Sequence, residues 1–160
     1  MKASLFVLAV VPFEEKYLVV EERDGTFYLP AGRVEPGENL VAAVVRETIE
    51  EANQLIGLRG ILAIDHDLVA PGAEGRFRMR FVFVGYRGVM LPTKSEPDRH
   101  SRGAAYKTRA EIARLPLRHP EVLDFIEAYE SGRALLPTGA YDVRPPCAQF
   151  ASGTSADLKS

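Results

Sequence analysis

The sequence predicts an α/β protein built as one domain. Apolar runs of strand length occupy the first fifth and the middle of the chain, and two segments repeat their apolar residues at the helical period of 3.6. The chain has 160 residues, of which 46% are hydrophobic and 26% charged, which is typical of a single globular domain with its own core. The net charge of -2 gives no reason to expect a nucleic-acid-binding surface.

Cysteine content and the apolar N-terminal segment indicate the cellular setting. The single cysteine, Cys147, cannot form an intramolecular disulfide, so nothing points to an oxidising compartment. The apolar segment at residues 5–13 is too short to cross a bilayer, and Glu14 and Glu15 follow it directly. We therefore expect a soluble, cytoplasmic protein that does not associate with membranes.

The first elements are predicted to be strands. Two β-branched, apolar runs lie at residues 5–11 and 16–22, with Pro12 and the Glu14–Glu15 pair between them as turn material. This pattern predicts a buried hairpin formed by the two runs.

A loop and then a helix are predicted next. The glycines and prolines of residues 24–37 predict a loop that lacks regular structure until about Glu38. From there the apolar residues follow the helical period, with Asn39 suited to cap the N-terminus and Asn53 suited to end the helix in the left-handed conformation. The predicted helix runs from roughly residue 40 to residue 52.

A long hairpin is predicted in the middle of the chain. Residues 59–70 and 76–88 are both rich in strand-forming residues, and the connection between them is rich in glycine. In the second of these strands Arg78 and Arg80 alternate with apolar residues. This alternation predicts one apolar and one cationic face.

The last third predicts a short strand, two helices and a tail. A strand at residues 104–107 precedes Thr108, which with Glu111 three residues later forms the pattern of a capping box. A further helix is predicted at residues 120–132, with proline at its start and glycine at its end. From Pro137 onward the composition predicts a tail that is loosely packed or disordered.

Three glutamates of the first predicted helix suggest the chemistry. Glu47, Glu50 and Glu51 stand at i, i+3 and i+4, so their carboxylates project from one helix face within reach of a single hard cation. Carboxylates at this spacing repel each other, and Mg²⁺ or Mn²⁺ would compensate that repulsion. Arg46 could orient the carboxylate of Glu47. The alternative interpretation is a solvated acidic helix face.

The spacing of these residues resembles the signature of a known family. Six residues recur with the spacing of the Nudix box, namely Gly32, Glu38, Arg46, Glu47, Glu50 and Glu51. The resemblance to the Nudix (MutT-type) hydrolases extends over roughly residues 4 to 137. "FYLPAGRVEPGE" and "LPLRHPEVLDFIE" look like the branch that includes 8-oxoguanine nucleoside diphosphate phosphatases. "SGRALLP" resembles bacterial relatives that act on nucleoside and thiamine-precursor di- and triphosphates.

The resemblance implies a fold and a domain division. The expected fold is the Nudix α/β/α sandwich, in which a central mixed β-sheet separates the box helix from the C-terminal helices. Residues 1–136 would form the hydrolase domain, and residues 137–160 would form the C-terminal tail.

The resemblance also implies a reaction and a metal site. Relatives hydrolyse a phosphoanhydride bond by attack of a metal-activated water on phosphorus, so the expected substrate is a nucleoside di- or triphosphate, including oxidised (8-oxoguanine) nucleotides, with Mg²⁺ or Mn²⁺ as cofactor. The arginine of the box would steady the glutamate that follows it. The implied metal site comprises Glu47 and Glu51 as principal ligands, Glu50 as a further ligand or base, Glu38 through a bound water, and the carbonyl oxygen of Ala31.

The chain departs from the family pattern at two places. Asn53 and Gln54 stand where the box normally continues with glycine and an apolar residue, and asparagine tolerates the left-handed conformation next best to glycine. Relatives also often carry a glutamate in the loop before the strand at residues 104–107, where this chain has His100. Glu96 or Asp98 could replace that glutamate as a ligand or base, or His100 could serve as the base.

Candidates for substrate binding surround the box. Arg33, and either Arg78 or Arg80, could hold phosphate oxygens with their guanidinium groups. Phe27 and Tyr28 could stack on a base, or they could belong to the core.

Three functions are compatible with the sequence. The complete set of box carboxylates favours a hydrolase of a small-molecule phosphoanhydride, which would be a nucleotide or a non-nucleoside pyrophosphate such as a thiamine precursor. The alternatives are a catalytically silent Nudix module that binds a nucleotide or a protein, and an interaction domain that binds no metal. As in many relatives, we expect a homodimer, with no nucleic-acid polymer among the partners.

Overall fold

Eight strands and three α-helices are present in the computed structural model, which describes residues 2–67 and 76–140. The strands are β1 (Lys2–Val10), β2 (Pro12–Phe13), β3 (Lys16–Glu21), β4 (Phe27–Tyr28), β5 (Ala31–Arg33), β6 (Ile56–His66), β7 (Arg76–Arg87) and β8 (Gly103–Thr108). The helices are α1 (Leu40–Ala52), α2 (Arg109–Ile112) and α3 (Glu121–Glu130), followed by a 3₁₀ turn at Thr138–Ala140. None of these helices is long and apolar enough to cross a membrane.

The strands form two four-stranded sheets that together make the central layer. The first sheet has the order β5-β1-β7-β6 and is mixed, because β1 and β7 are parallel while the other pairs are antiparallel. In the second sheet β3 pairs with β2, β4 and β8, always antiparallel. The predicted α/β fold with a mixed sheet is confirmed.

Two apolar cores lie on opposite sides of this layer. Alternate residues of β1, β3 and β7 point to one core or the other, because successive side chains of a strand face opposite ways. Helix α1 covers the first core, which includes Val7, Leu18, Val44, Phe81 and Phe83. Helices α2 and α3 cover the second, which includes Leu8, Val19, Val82, Ile112 and Phe125.

The predicted hairpin between residues 5–11 and 16–22 is wrong. Strand β1 pairs with β5 and β7 in the first sheet, so neither of its edges is available to β3. Pro12–Phe13 pairs back onto Lys16–Tyr17 as a very short hairpin in the second sheet. Of the two predicted runs, the described contact at this turn is the Leu18 N–H, which donates to the Val11 carbonyl at 3.1 Å. Both apolar runs are buried, and burial alone does not specify which strands are neighbours.

The segment at residues 24–37 contains regular structure, contrary to prediction. Phe27–Tyr28 pairs with β3, and Ala31–Arg33 pairs with β1 so that Gly32 lies opposite Val7. Backbone groups beside a core need hydrogen-bond partners, and strands of two or three residues satisfy them without producing a recognisable sequence pattern.

Helix α1 has the predicted bounds. The side chain of Asn39 accepts a hydrogen bond from the backbone N–H of Ala42 at 2.8 Å, and Asn53 ends the helix with a φ of 54°. The Thr48 hydroxyl, which is buried, donates to the carbonyl of Val44 at 2.7 Å. The helix buries Leu40, Ala43, Val44, Thr48 and Ala52, whereas Val41 and Ile49 of the predicted apolar stripe are exposed. Glu47 and Glu51 lie against β5.

Strand β7 is only partly amphipathic. Arg78 and Arg80 are polar positions at its start, as predicted, but residues 81–85 are buried on both faces. The predicted cationic face is therefore wrong for the second half of the strand. Its neighbours β1 and β6 and the helices on both sides enclose it, as expected for a central strand.

The remaining elements agree with prediction where the structure describes them. Strands β6 and β7 pair antiparallel, and the predicted turn between them lies outside the described residues. The capping box of Thr108 and Glu111 is present, although α2 has only four residues. Leu136 pairs with Ile61 through two backbone hydrogen bonds of 2.8 and 2.9 Å. Of the predicted tail, residues 141–160 lie outside the described part of the chain.

Candidate active site

Strand β5 lies directly against the acidic face of α1. A Cβ atom added at Gly32 would lie 1.9 Å from the carboxyl carbon and from Oε1 of Glu47, far inside van der Waals contact. Any larger residue would therefore have to push the carboxylate away. The absence of a side chain at Gly32 lets β5 and the glutamate occupy adjoining positions.

Arg46 joins three carboxylates of the box. Its guanidinium donates to Glu38 at 2.8 and 2.9 Å, to Glu47 at 2.8 Å and to Glu50 at 3.1 Å, and also to the carbonyl of Arg33 at 3.1 Å. These hydrogen bonds raise the pKa of Arg46 and lower the pKa of Glu38. The sequence indicated contact with Glu47 alone, whereas the structure shows that Arg46 offsets the repulsion among all three.

Glu51 has a different environment. It is partly buried, and its Oε2 accepts a hydrogen bond from the backbone N–H of Ala31 at 3.0 Å. Burial is the main cause that raises the pKa of Glu51 to about 8; the carboxylates of Glu47 and Glu22 also raise it, while the Ala31 N–H and Arg118 lower it. The charge of Glu51 is therefore poorly compensated by the protein itself.

The donor set fits a hard divalent cation, although it is not preassembled. Among residues 2–67 and 76–140, no three side chains of the His, Cys, Asp or Glu type converge as a ready metal site. Arg46 instead holds three of the carboxylates. Burial also raises the pKa of Glu47, so both Glu47 and Glu51 would gain from a nearby positive charge. Carboxylate oxygens are the ligands that Mg²⁺ and similar ions prefer.

A cleft of about 490 Å³ opens beside Gly32. Two of the predicted binding residues, Tyr28 and Arg80, line it, and so does Arg78. Phe27 instead packs against the core under α3, and the exposed Arg33 is not among the lining residues. The cleft is thus lined by Ala31 and Gly32, the residues of β5 that adjoin Glu51 and Glu47, and by three arginines.

The guanidinium of Arg80 is already bound by carboxylates. Its Nε and Nη2 donate to the two oxygens of Asp65 at 2.7 and 2.8 Å, and its Nη1 donates to Glu121 at 2.7 Å. Glu121 also accepts the hydroxyl of Tyr28. A phosphate would have to compete with two carboxylates for Arg80, so this geometry does not favour the predicted phosphate contact.

The loop before β8 brings one of its three candidates to the acidic face. His100 Nδ1 lies 3.6 Å from Glu50 Oε2. Asp98 is engaged by the ammonium of Lys94 and by the backbone N–H of His100. Glu96 is exposed at the edge of the hollow between this loop and α1.

Several residues that shape the site had no signal in the sequence. Lys94 donates to the carbonyl of Glu50 at 2.8 Å, and the buried Ser101 donates to the carbonyl of Glu51 at 2.7 Å, so both hold the loop against the end of α1. Arg118 lines the cleft. These residues come from segments far from the box, and only the fold brings them to it.

The chain is similar to known proteins over most of its length. Residues 3–128 match the family model described as the NUDIX domain. The chain is 37% identical over 127 residues to the mouse protein named 8-oxo-dGDP phosphatase NUDT18, and 36% identical to the human protein of that name. Each match covers 76% of this chain but 37% of the relative, so the chain corresponds to little more than a third of those proteins.

Solved structures show the same fold. A NUDIX hydrolase from Nitrosomonas europaea superposes with a TM-score of 0.76 at 30% identity, over 89% of this chain and 98% of that chain. An ADP-ribose pyrophosphatase from Streptococcus suis superposes with a TM-score of 0.62 at 21% identity, over 82% and 92% of the two chains, which supports the fold alone. Members of the family generally use a divalent metal, as the oxygen donors of α1 would allow. The chain therefore belongs to the Nudix family.

Proposed function

We propose that this chain is a Mg²⁺- or Mn²⁺-dependent hydrolase that cleaves a phosphoanhydride bond of a nucleoside di- or triphosphate. The observation that carries the proposal is the pair of partly buried carboxylates, Glu47 and Glu51, with raised pKa values beside the opening of a cleft. Oxidised guanine nucleotides are the first candidates, because the mouse and human relatives are named 8-oxo-dGDP phosphatases.

The roles of the residues follow from their contacts. Glu47 and Glu51 would bind the cation, with Glu50, Glu38 and the carbonyl of Ala31 near it. When bound, the cation would lower the pKa of a water molecule and offset charge on the phosphate oxygens. Arg46 would hold Glu38, Glu47 and Glu50 in register, through the hydrogen bonds it already makes. The proposed active-site residues are thus Glu38, Glu47, Glu50, Glu51, Arg46 and Ala31.

The hydrolysis needs a base and a route for the proton. The oxygen of water bonds to phosphorus, the bond from phosphorus to the bridging oxygen breaks, and the water proton passes to the base. Glu50 is suited to accept it, because its side chain is 30% exposed and contacts His100 at 3.6 Å. His100 would then relay the proton to solvent, with Asp98 orienting the backbone of the loop.

The cleft would hold the nucleoside. Its volume of about 490 Å³ lies in the range of small-molecule sites. Tyr28 lines the cleft but is only 6% exposed and has the guanidinium of Arg118 over its ring, so it would reach a base only at its edge. Arg33 is exposed at the end of β5. Arg80 would position Glu121, which lines the cleft, as an acceptor for the ligand.

The test is a substrate panel at saturating Mg²⁺ that measures phosphate and pyrophosphate separately. It would include normal and 8-oxoguanine nucleoside di- and triphosphates, ADP-ribose, dinucleoside polyphosphates and a thiamine-precursor pyrophosphate. We expect turnover of one class and a loss of at least about a hundredfold in Glu51→Gln, the scale for removing one key electrostatic contact. Glu127→Gln, the same change on the exposed face of α3, is the matched control. No turnover by the wild type, or equal activity in Glu51→Gln, would support a silent binding module instead.

The setting of the protein is part of the proposal. We propose a cytoplasmic location, in line with the single cysteine, and a small nucleotide as substrate and not a nucleic-acid polymer, in line with the net charge of -2. We also propose a homodimer, as in many relatives. Residues 1–136 would be the catalytic unit and residues 137–160 an appended tail. Light scattering of the full chain would test the dimer, and the activity of a chain ending at residue 136 would test the tail.

A further inference from the structure

Arg118 is held in a defined position at the wall of the cleft. Its backbone N–H donates to the carbonyl of Phe27 at 3.0 Å, and the N–H of Phe27 donates to the carbonyl of Pro116 at 2.9 Å. The segment that carries Arg118 is therefore tied to β4 as a short parallel bridge. The side chain extends over the ring of Tyr28, with the guanidinium carbon 5.2 Å from the ring centre.

The guanidinium of Arg118 interacts with two carboxylates near the site. It donates to Glu22 Oε1 at 2.8 Å, and its positive charge is among the influences that act on Glu51. The cleft that Arg118 lines also includes Ala31 and Gly32, the two residues that contact Glu51 and adjoin Glu47. Arg118 thus lines the same cleft as the two β5 residues that adjoin carboxylates of α1.

The three arginines of the cleft differ in how strongly they are engaged. Arg80 gives three hydrogen bonds to two carboxylates and its side chain is 25% exposed. Arg78 is more exposed and lies 3.8 Å from Asp67, away from α1. Arg118 is 57% exposed and, within the described residues, uses one of its five N–H donors on one carboxylate. Its other side-chain donors make no hydrogen bond to the described residues.

We propose that Arg118 binds a phosphate oxygen of the nucleotide and that Glu22 holds the guanidinium until the phosphate displaces it. This inference rests on the proposed function. The ion pair is weakened because its guanidinium is 57% exposed and water screens that charge, although Glu22 is only 25% exposed. A guanidinium bound to phosphate through two donors makes stronger, charge-assisted hydrogen bonds. The exchange from Glu22 to phosphate is therefore favourable, and Glu22 acts as an internal competitor.

Competition predicts opposite effects for the two partners. Arg118→Met keeps an apolar stem over Tyr28 but removes the donors, so we expect KM for a nucleoside diphosphate to rise by about tenfold or more, in line with loss of a charged hydrogen bond. Glu22→Gln removes the competing charge, so we expect KM to fall severalfold. If the ion pair were only structural, both changes would raise KM or leave it unaltered.

The experiment measures KM, kcat and direct binding for the wild type, Arg118→Met, Glu22→Gln and a control. Arg109→Met is the control, since Arg109 is also an exposed arginine that pairs with glutamates, but on α2 and α3. Calorimetry with Mg²⁺ and a nonhydrolysable nucleoside diphosphate gives affinity without turnover. We expect weaker binding in Arg118→Met, tighter binding in Glu22→Gln and no change in Arg109→Met.

The outcomes separate this inference from the proposed function. A wild type that hydrolyses nothing contradicts the function, and calorimetry still decides the role of Arg118. A wild type that is active, with KM and affinity unaltered in Arg118→Met, contradicts the inference alone. A rise in KM in Glu22→Gln equal to that in Arg118→Met also contradicts it, because the pair would then act as a structural unit.

Discussion

Replacing Gly32 with alanine tests how closely β5 adjoins the carboxylate of Glu47. Gly32 does not have a positive φ, so alanine fits the backbone. The new methyl carbon, however, would lie 1.9 Å from the carboxyl carbon of Glu47. To reach an ordinary contact of about 3.5 Å, the carboxylate must retreat by roughly 1.5 Å.

The cost of this displacement should appear in activity more than in stability. The carboxylate is the end of a flexible side chain, so it can rotate at a cost of about 1 kcal/mol or less in the free energy of unfolding. The rotation breaks the 2.8 Å hydrogen bond to Arg46 and moves a proposed metal ligand. A displacement of about 1 Å at a catalytic group is enough to lower the rate by about a hundredfold.

The assay compares kcat/KM and the Mg²⁺ concentration for half-maximal activity in the wild type, Gly32→Ala and Gly37→Ala. Gly37 has a φ of +83° and no heavy atom within 4 Å of an added Cβ. Gly37→Ala should therefore lose about 1–2 kcal/mol of stability through backbone strain and keep its activity. Gly32→Ala should show the opposite profile. Wild-type kcat/KM and Mg²⁺ dependence in Gly32→Ala would mean that the Glu47 carboxylate has no role at its present position.

Three further predictions concern stability. Without metal, the pKa of Glu51 is raised to about 8 in the folded state, so the folded state binds the Glu51 proton more tightly than the unfolded state does. The wild type should therefore lose stability relative to Glu51→Gln as the pH rises from about 4.3, the pKa of an unfolded glutamate, to 8. Urea denaturation in a chelator measures this, and parallel curves at all pH values would contradict it. Asn53→Ala should lower the free energy of unfolding by about 1–2 kcal/mol, because the residue has a φ of 54° and its side chain donates to the carbonyl of Pro92. Asn53→Gly should lower it less, and thermal melts of both variants measure the difference. Gly60→Ala would place a Cβ 2.7 Å from the carbonyl oxygen of Leu136. We expect the free energy of unfolding to fall by about 1–3 kcal/mol and hydrogen exchange at the Leu136 amide to accelerate. Unaltered exchange would contradict this packing.

The box helix was predictable because its determinants are local. The hydrophobic period of the helix, its N-cap at Asn39 and its end at Asn53 all depend on residues that are close in sequence. The structure has the predicted bounds. The same holds for the capping box of Thr108. Helical hydrogen bonds join residues four apart, so the sequence of a short window contains most of the information.

The pairing of strands was less predictable. Strand β1 was assigned to the wrong neighbour, and β4 and β5 were missed because two- and three-residue strands have no period to detect. Strand partners are distant in sequence, as β1 and β7 are, and any buried apolar run suits several of them.

The spacing of the acidic residues on α1 was enough to indicate a cation site and, by resemblance, the family. That spacing does not predict the environment of each carboxylate. Burial against β5 raises the pKa of Glu51, Arg46 gathers three glutamates, and Asp65 with Glu121 engages Arg80. Charges interact through space over a few ångströms, so their energies depend on which distant segments the fold brings together.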